Sequence, residues 1–184
     1  MQLFFSFLRL IRWPNLVFII LAQGIFYFFI EFPLYASHSI LPILDLPCFV
    51  LLCFSSVCIA AAGYIINDYF DVNIDMINKP DKLIIEKFIK RRWAIVWHLI
   101  LSLVGIFMGF YIDYNTPTSL LGLTNTICVI LLFIYSISLK RKLLSGNVVV
   151  SLLTAWSILV VPFAEWNGLF HNPTLKLLYN EVDF

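Results

Sequence analysis

Apolar residues arrive in long blocks along this chain. Five such runs occupy about residues 15–33, 43–66, 94–112, 119–138 and 147–164, close to the ~20 residues a helix needs to cross roughly 30 Å of hydrocarbon. The pattern predicts an all-α fold: a polytopic transmembrane helical bundle of about five helices, forming one domain over residues 1–184. Arg9 and Arg12 precede a first run longer than the apolar core of a signal peptide, and no small-residue cleavage site follows it. The first helix is therefore expected to stay in the membrane.

Composition agrees with a bilayer as solvent. Hydrophobic residues make up 61% of the chain and charged residues 12%, and the mean hydropathy is +0.94, far from the values of a water-soluble domain. The net charge of +1 conceals a strong polarity. Arg9 and Arg12 lie before run one, Lys79, Lys82, Lys87, Lys90, Arg91 and Arg92 between runs two and three, and Lys140, Arg141 and Lys142 between runs four and five, eleven of the twelve basic residues. The alternate connections hold no Lys or Arg. By the positive-inside rule this predicts a multi-pass protein of the cell inner membrane, with the N-terminus and the loops around 67–93 and 139–146 cytoplasmic. A basic cytoplasmic face needs no nucleic-acid partner to explain it, and that class is set aside.

Cys48, Cys53, Cys58 and Cys128 sit inside apolar runs without the spacing of a zinc site, and are expected to be small core residues. His38, His98 and His171 have no carboxylate or cysteine at ligand spacing and are expected at interfaces.

Chemistry concentrates at the end of run two. Asn67, Asp71, Asp75 and Asn78 recur at spacings of four, four and three, and Asp68 stands three before Asp71, so one helical face carries three carboxylates and two carboxamides. Val72, Ile74 and Ile77 fall on other faces, which predicts that the helix continues as a polar-striped rod. Stacked carboxylates at a membrane helix mouth repel one another and resist desolvation unless a cation neutralises them. Mg²⁺ suits this set, because it takes oxygen ligands and is commonly held by one or two carboxylates together with substrate phosphates. Ala60, Ala61, Ala62 and Gly63, one turn earlier, allow another helix to come close, either as plain packing or as the wall of a cavity. An EF-hand loop is excluded, since neither register places Gly and Glu where it needs them.

These residues carry a family resemblance. Asn67-Asp68-Tyr69-Phe70-Asp71-Val72-Asn73-Ile74-Asp75 matches the NDxxDxxxD motif of the UbiA superfamily of intramembrane prenyltransferases, and Asn78-Lys79-Pro80-Asp81-Lys82 resembles the segment that follows it. Arg12-Trp13-Pro14-Asn15 is similar to the family's Arg-x-x-Asn opening of helix one. Tyr135-Ser136-Ile137-Ser138-Leu139-Lys140-Arg141, followed by Gly146-Asn147, is similar to its Y-S-x-x-x-K-R loop. The resemblance implies the first half of the UbiA fold and transfer of a prenyl group from a prenyl diphosphate to an aromatic or lipid acceptor, in a quinone or isoprenoid-lipid pathway. It further implies Mg²⁺ held by Asp68, Asp71 and Asp75 with Asn67 completing the shell. Arg12, Asn15, Asn78, Lys79, Lys82, Lys140 and Arg141 would bind substrate, the lysines and Arg141 on phosphate oxygens, and Tyr135 would face the allylic cation. Lys87, Lys90, Arg91 and Arg92 are expected to serve topology and lipid headgroups instead.

The family has nine helices and a second Asp-rich motif, whereas this sequence has one acidic motif and resembles an N-terminal portion. Three classes therefore compete: a prenyltransferase or its N-terminal part; a noncatalytic or partner-dependent membrane subunit that keeps a metal–diphosphate half-site while a second chain supplies the rest; and a small ion transporter. A transporter places its acids near the bilayer midplane, whereas these stand at a cytoplasmic helix end beside a basic loop. A soluble terpene synthase is excluded by hydropathy, and a CDP-alcohol phosphotransferase by the absence of its D-G-x-x-A-R element.

Overall fold

The computed structural model describes residues 2–37, 42–78 and 84–171. Lys79 and Lys82, His38 and the polar tail after His171 lie outside the described residues. The named elements are all helical: α1 Gln2–Leu10, α2 Trp13–Phe26 running through a π-helical turn Tyr27–Glu31 into α3 Phe32–Ser37, α4 Leu46–Asn78, α5 Arg91–Asn115, α6 Leu121–Ile137, a 3₁₀ turn Leu139–Arg141, and α7 Leu143–His171.

The five apolar runs correspond to five long helical rods. Four of them, Trp13–Ser37, Leu46–Asn78, Arg91–Asn115 and Leu144–Leu169, are long and apolar enough to cross a membrane. The run expected at 119–138 is a shorter apolar helix of 17 residues, Leu121–Ile137. α1 is an additional short helix, with Phe7 and Leu10 turned inward and Leu3, Phe4 and Phe5 exposed. The apolar outer surface is what lipid requires: Phe18, Phe29, Phe107 and Leu152 are all exposed, and their exposure to water would drive aggregation.

α4 is the central rod, touching α2, α5, α6 and α7. Its 33 residues span about 50 Å at 1.5 Å per residue, well beyond the roughly 30 Å thickness of the hydrocarbon. Val72 is 1% exposed and packs in a cluster with Leu10, Ile65, Ile84, Ile85, Ile89 and Ala94. That anchoring is why the helix runs on through the acidic segment, as its polar stripe predicted.

The opposite end is closed by carboxylates and amides that satisfy loop backbone. Glu165 accepts from the N–H groups of Ile43 and Leu44 at 2.8 and 2.9 Å. Asp113 accepts from the N–H groups of Leu121 and Gly122 at 3.2 and 2.9 Å, the first donors of α6, which have no partner within the helix. Asp113→Ala is expected to leave both donors without this acceptor and cost about 1–2 kcal/mol, the scale of a lost helix cap. Thermal unfolding of the detergent-solubilised variant against wild type measures it.

Cys48, Cys53 and Cys58 are buried free thiols, as expected of core residues. His98 is not interfacial: it is buried, and its Nδ1 lies 3.0 Å from the Ala62 carbonyl. This contact adds to the packing of α5 on the stretch of α4 that precedes the acidic face.

Candidate functional site

The acidic face of α4 meets two basic side chains brought from distant parts of the chain. Arg12 precedes α2 with φ 52° and ψ 52°, a left-handed conformation that costs a non-glycine residue roughly 1–2 kcal/mol. That bend separates α1 from α2, and Pro14 in the first turn fits the helix start that follows. The guanidinium is thereby turned onto α4, where Nη2 donates to Asp68 Oδ1 at 2.9 Å and the group stacks over the Tyr64 ring, 4.9 Å from its centroid. Asn15 Nδ2 donates to the Tyr64 hydroxyl at 3.3 Å.

Lys140 comes from the 3₁₀ turn after α6. Its Nζ donates to Asp71 Oδ1 at 2.6 Å and to Asn67 Oδ1 at 3.5 Å, while Asn67 Nδ2 donates to Asp71 Oδ2 at 3.2 Å. The Lys140 side chain is 12% exposed against 45% for that of Arg12, so its ion pair is less screened by water and the stronger of the two. The structure thus brings together Arg12, Asn15, Asn67, Asp68, Asp71 and Lys140. Asp75 is half-buried two turns beyond Asn67, Asn78 is exposed at the end of α4, and Arg141 is exposed beside Lys140. Arg91 stacks over Tyr69, 4.6 Å from its centroid, on the motif's flank.

A cavity of about 550 Å³ opens from this mouth between α2, α4, α6 and α7. Arg12, Asn15, Tyr64, Asn67 and Tyr135 line its polar end, and Phe18, Ile19, Ile59, Leu132 and Leu153 line its apolar body. Both uses of the small-residue stretch occur. Ala60 and Gly63 line the cavity, and a Cβ on Gly63 would come within 2.9 Å of Leu132, so glycine lets α6 close against α4. Tyr64 is the residue the motifs did not single out. Its position three before Asn67 and four before Asp68 put it on the same helical face, which was the available signal.

The donor set of Asn67, Asp68, Asp71 and Asp75 is oxygen alone and suits a hard divalent cation. Among the described residues no three His, Cys, Asp or Glu side chains converge as a ready-made metal cage. A cation held by this set would need further oxygen donors, from water or a ligand, to complete its shell. The arrangement as a whole is a charged, metal-compatible mouth on a lipid-like cavity, suited to an amphiphile with an anionic head.

Residues 24–178 match the model of the UbiA prenyltransferase family. Digeranylgeranylglyceryl phosphate synthase of Methanosphaera stadtmanae is 38% identical over 102 residues, 54% of this chain and 36% of that protein. Its counterpart from Ignicoccus hospitalis is 37% identical over 116 residues, 62% of this chain and 37% of that protein. The Methanosarcina barkeri protein of the same name is 34% identical over 129 residues, 70% of this chain and 39% of that protein. A solved structure described as digeranylgeranylglyceryl phosphate synthase in membranes matches the fold with a TM-score of 0.74 at 24% identity, covering 97% of this chain and 58% of that one. The matched stretch spans less than two fifths of these three relatives' own lengths.

Proposed function

The chain belongs to the UbiA prenyltransferase family, and from that premise we propose that it binds a prenyl diphosphate with Mg²⁺ at the α4 mouth and takes part in transferring the prenyl group to a lipid acceptor. The observation that carries this is the pairing of Asp68 with Arg12 and of Asp71 with Lys140 at the polar end of an apolar cavity. A diphosphate arriving there offers both basic residues a more highly charged partner. Arg12 and Lys140 move onto phosphate oxygens, Arg12 able to do so with two N–H groups at once, and the aspartates are released to hold metal. The two ion pairs thus act as a latch that keeps the carboxylates neutralised until substrate comes.

Asn67, Asp68, Asp71 and Asp75 would hold the metal, with Lys79, Lys82 and Arg141 as further phosphate contacts and Asn78 at the motif's end. Mg²⁺, when bound, neutralises charge that develops on the departing diphosphate. In the transfer, the bond from the allylic carbon to the diphosphate oxygen breaks with its electron pair leaving on diphosphate. The acceptor hydroxyl oxygen bonds that carbon and releases its proton to water at the mouth. Arg12 and Lys140 stabilise the leaving group where its charge grows, Asn15 and Tyr64 fix the guanidinium's position, and the Tyr135 ring faces the allylic cation. The apolar body holds the tail and excludes water that would intercept the cation.

Of quinone and isoprenoid-lipid acceptors, the lipid is favoured by the relatives' shared name, with geranylgeranyl diphosphate as donor. The basic loops favour a cytoplasmic mouth and N-terminus. Incubating the intact chain in detergent with Mg²⁺, geranylgeranyl diphosphate and geranylgeranylglyceryl phosphate tests the reaction. A product carrying a second geranylgeranyl group is expected. Mg²⁺-dependent binding without product supports the narrower reading, a metal–diphosphate half-site that needs a second chain to turn over, and absence of both contradicts the proposal.

A further inference from the structure

At the end of the cavity away from the acidic mouth the lining turns polar again. Ser56 lies eleven residues before Asn67 on α4, about 16 Å along the helix axis, and Asn125 stands opposite on α6; both line the cavity. Asn125 is 5% exposed. Its Nδ2 donates to Ser55 Oγ at 2.9 Å and to the Gly105 carbonyl at 3.0 Å, and Ser55 Oγ donates to the same carbonyl at 2.8 Å. A carbonyl can only accept, so the amide nitrogen must face Gly105, and the side-chain oxygen of Asn125 is the atom left over. Ser56 Oγ accepts from Gln23 Nε2 at 2.9 Å, a bond that uses a lone pair and leaves the hydroxyl proton unspent. Beside them, Trp156 Nε1 and Gln23 Oε1 have no hydrogen-bond partner.

This layer sits within apolar spans, where covering an unpaired donor or acceptor with hydrocarbon forfeits about 1–3 kcal/mol per group. Water or a hydroxyl satisfies Ser56 and Asn125; a methyl-terminated tail does not. We propose that Ser56 and Asn125 form a hydrogen-bonding floor that halts the prenyl tail and so selects substrate by tail length. The inference rests on the proposed binding of prenyl diphosphate. The tail fills the apolar body down to the floor, and each further isoprene unit must cover the unpaired groups of Ser56 and Asn125 with hydrocarbon or bend out of the cavity. Gln23 and Ser55 are positioning residues, holding the two floor groups from behind.

The test is Mg²⁺-dependent binding of geranyl, farnesyl, geranylgeranyl and geranylfarnesyl diphosphate to the intact chain, in wild type and in Ser56→Val. Valine fills the serine's space and more but is apolar, so a purely steric floor would rise and shorten the preferred tail. A polar floor would instead be abolished. In wild type, affinity is expected to climb with length and then fall. In Ser56→Val the fall is expected to move to a longer member, raising its affinity relative to the preferred wild-type ligand about tenfold. Asn125→Leu, with the same side-chain branching but larger and apolar, is expected to shift it the same way, with its melting temperature recorded alongside; should that variant not fold, Ser56→Val decides. An unchanged length profile, or a shift to shorter tails, overturns the floor. Failure of every length to bind to wild type contradicts the proposed function itself, whereas normal binding with no length break contradicts only this inference.

Discussion

The Asp68→Ala, Asp71→Ala double variant is expected to lose the strengthening by Mg²⁺ of geranylgeranyl diphosphate binding, about tenfold or more, while remaining folded. Each carboxylate now neutralises one basic side chain, at 2.9 Å for Asp68 with Arg12 and 2.6 Å for Asp71 with Lys140. Removing both leaves Arg12 and Lys140 free to attract the diphosphate, so without metal the variant should bind the ligand as well as wild type or better. With Mg²⁺ the gain disappears, because the carboxylate oxygens that would hold the metal beside the phosphate are gone. The signature is a loss of metal dependence and not simply weaker binding, and titrations with and without Mg²⁺ separate the two. Arg12 is largely exposed, so losing its ion pair should cost little stability, whereas Lys140, 12% exposed, loses its carboxylate partner at a larger cost that lowers the melting temperature.

Gly105→Val should damage the fold more than any site substitution. A Cβ at Gly105 would stand 2.6 Å from Ile59 Cγ1 and 3.2 Å from the Ser55 carbonyl oxygen. The isoleucine can turn away, but the carbonyl belongs to the α4 backbone. α5 would have to move off α4, breaking the Ser55 and Asn125 bonds to the Gly105 carbonyl at 2.8 and 3.0 Å. Overpacking of this kind typically costs about 1–3 kcal/mol, and the lost hydrogen bonds add about 1 kcal/mol more. The expected result is a fall in apparent unfolding temperature of roughly 5–10 °C, read by thermal aggregation in detergent. Gly105→Ala should show a smaller fall in the same direction.

Much of this was legible in the sequence because it is local. Helix continuation past Asn67 followed from Val72, Ile74 and Ile77 lying off the polar stripe, and Val72 anchors that continuation by packing against Leu10 and Ile65. The oxygen-rich face needed only the three- and four-residue spacings. The pairings were another matter, since Arg12 lies 56 residues from Asp68 and Lys140 lies 69 from Asp71. Motif resemblance placed these residues in one site, but which cation meets which carboxylate depends on the left-handed backbone at Arg12 and on the turn after α6. Neither has a local sequence signal as plain as a glycine. His98 was misplaced for a related reason: a lone histidine near a helix start resembles an interfacial residue until the Ala62 carbonyl appears beside it. Ser56 and Asn125 fall inside apolar runs and belong to none of the motifs. Their signal was the general one that a polar side chain inside a membrane span needs a partner or a purpose.

The central claim is that the mouth of α4 exchanges its internal ion pairs for a metal-bound diphosphate. Calorimetric titration of the intact, purified chain with geranylgeranyl diphosphate, with and without Mg²⁺, measures this most directly. Saturable binding is expected that strengthens at least tenfold with Mg²⁺ and weakens as salt rises, since charged groups at a half-exposed site are screened. Binding indifferent to both Mg²⁺ and salt would mean that the cavity takes up the lipid tail alone, and would contradict the assignment of Asn67, Asp68, Asp71, Arg12 and Lys140 to the diphosphate.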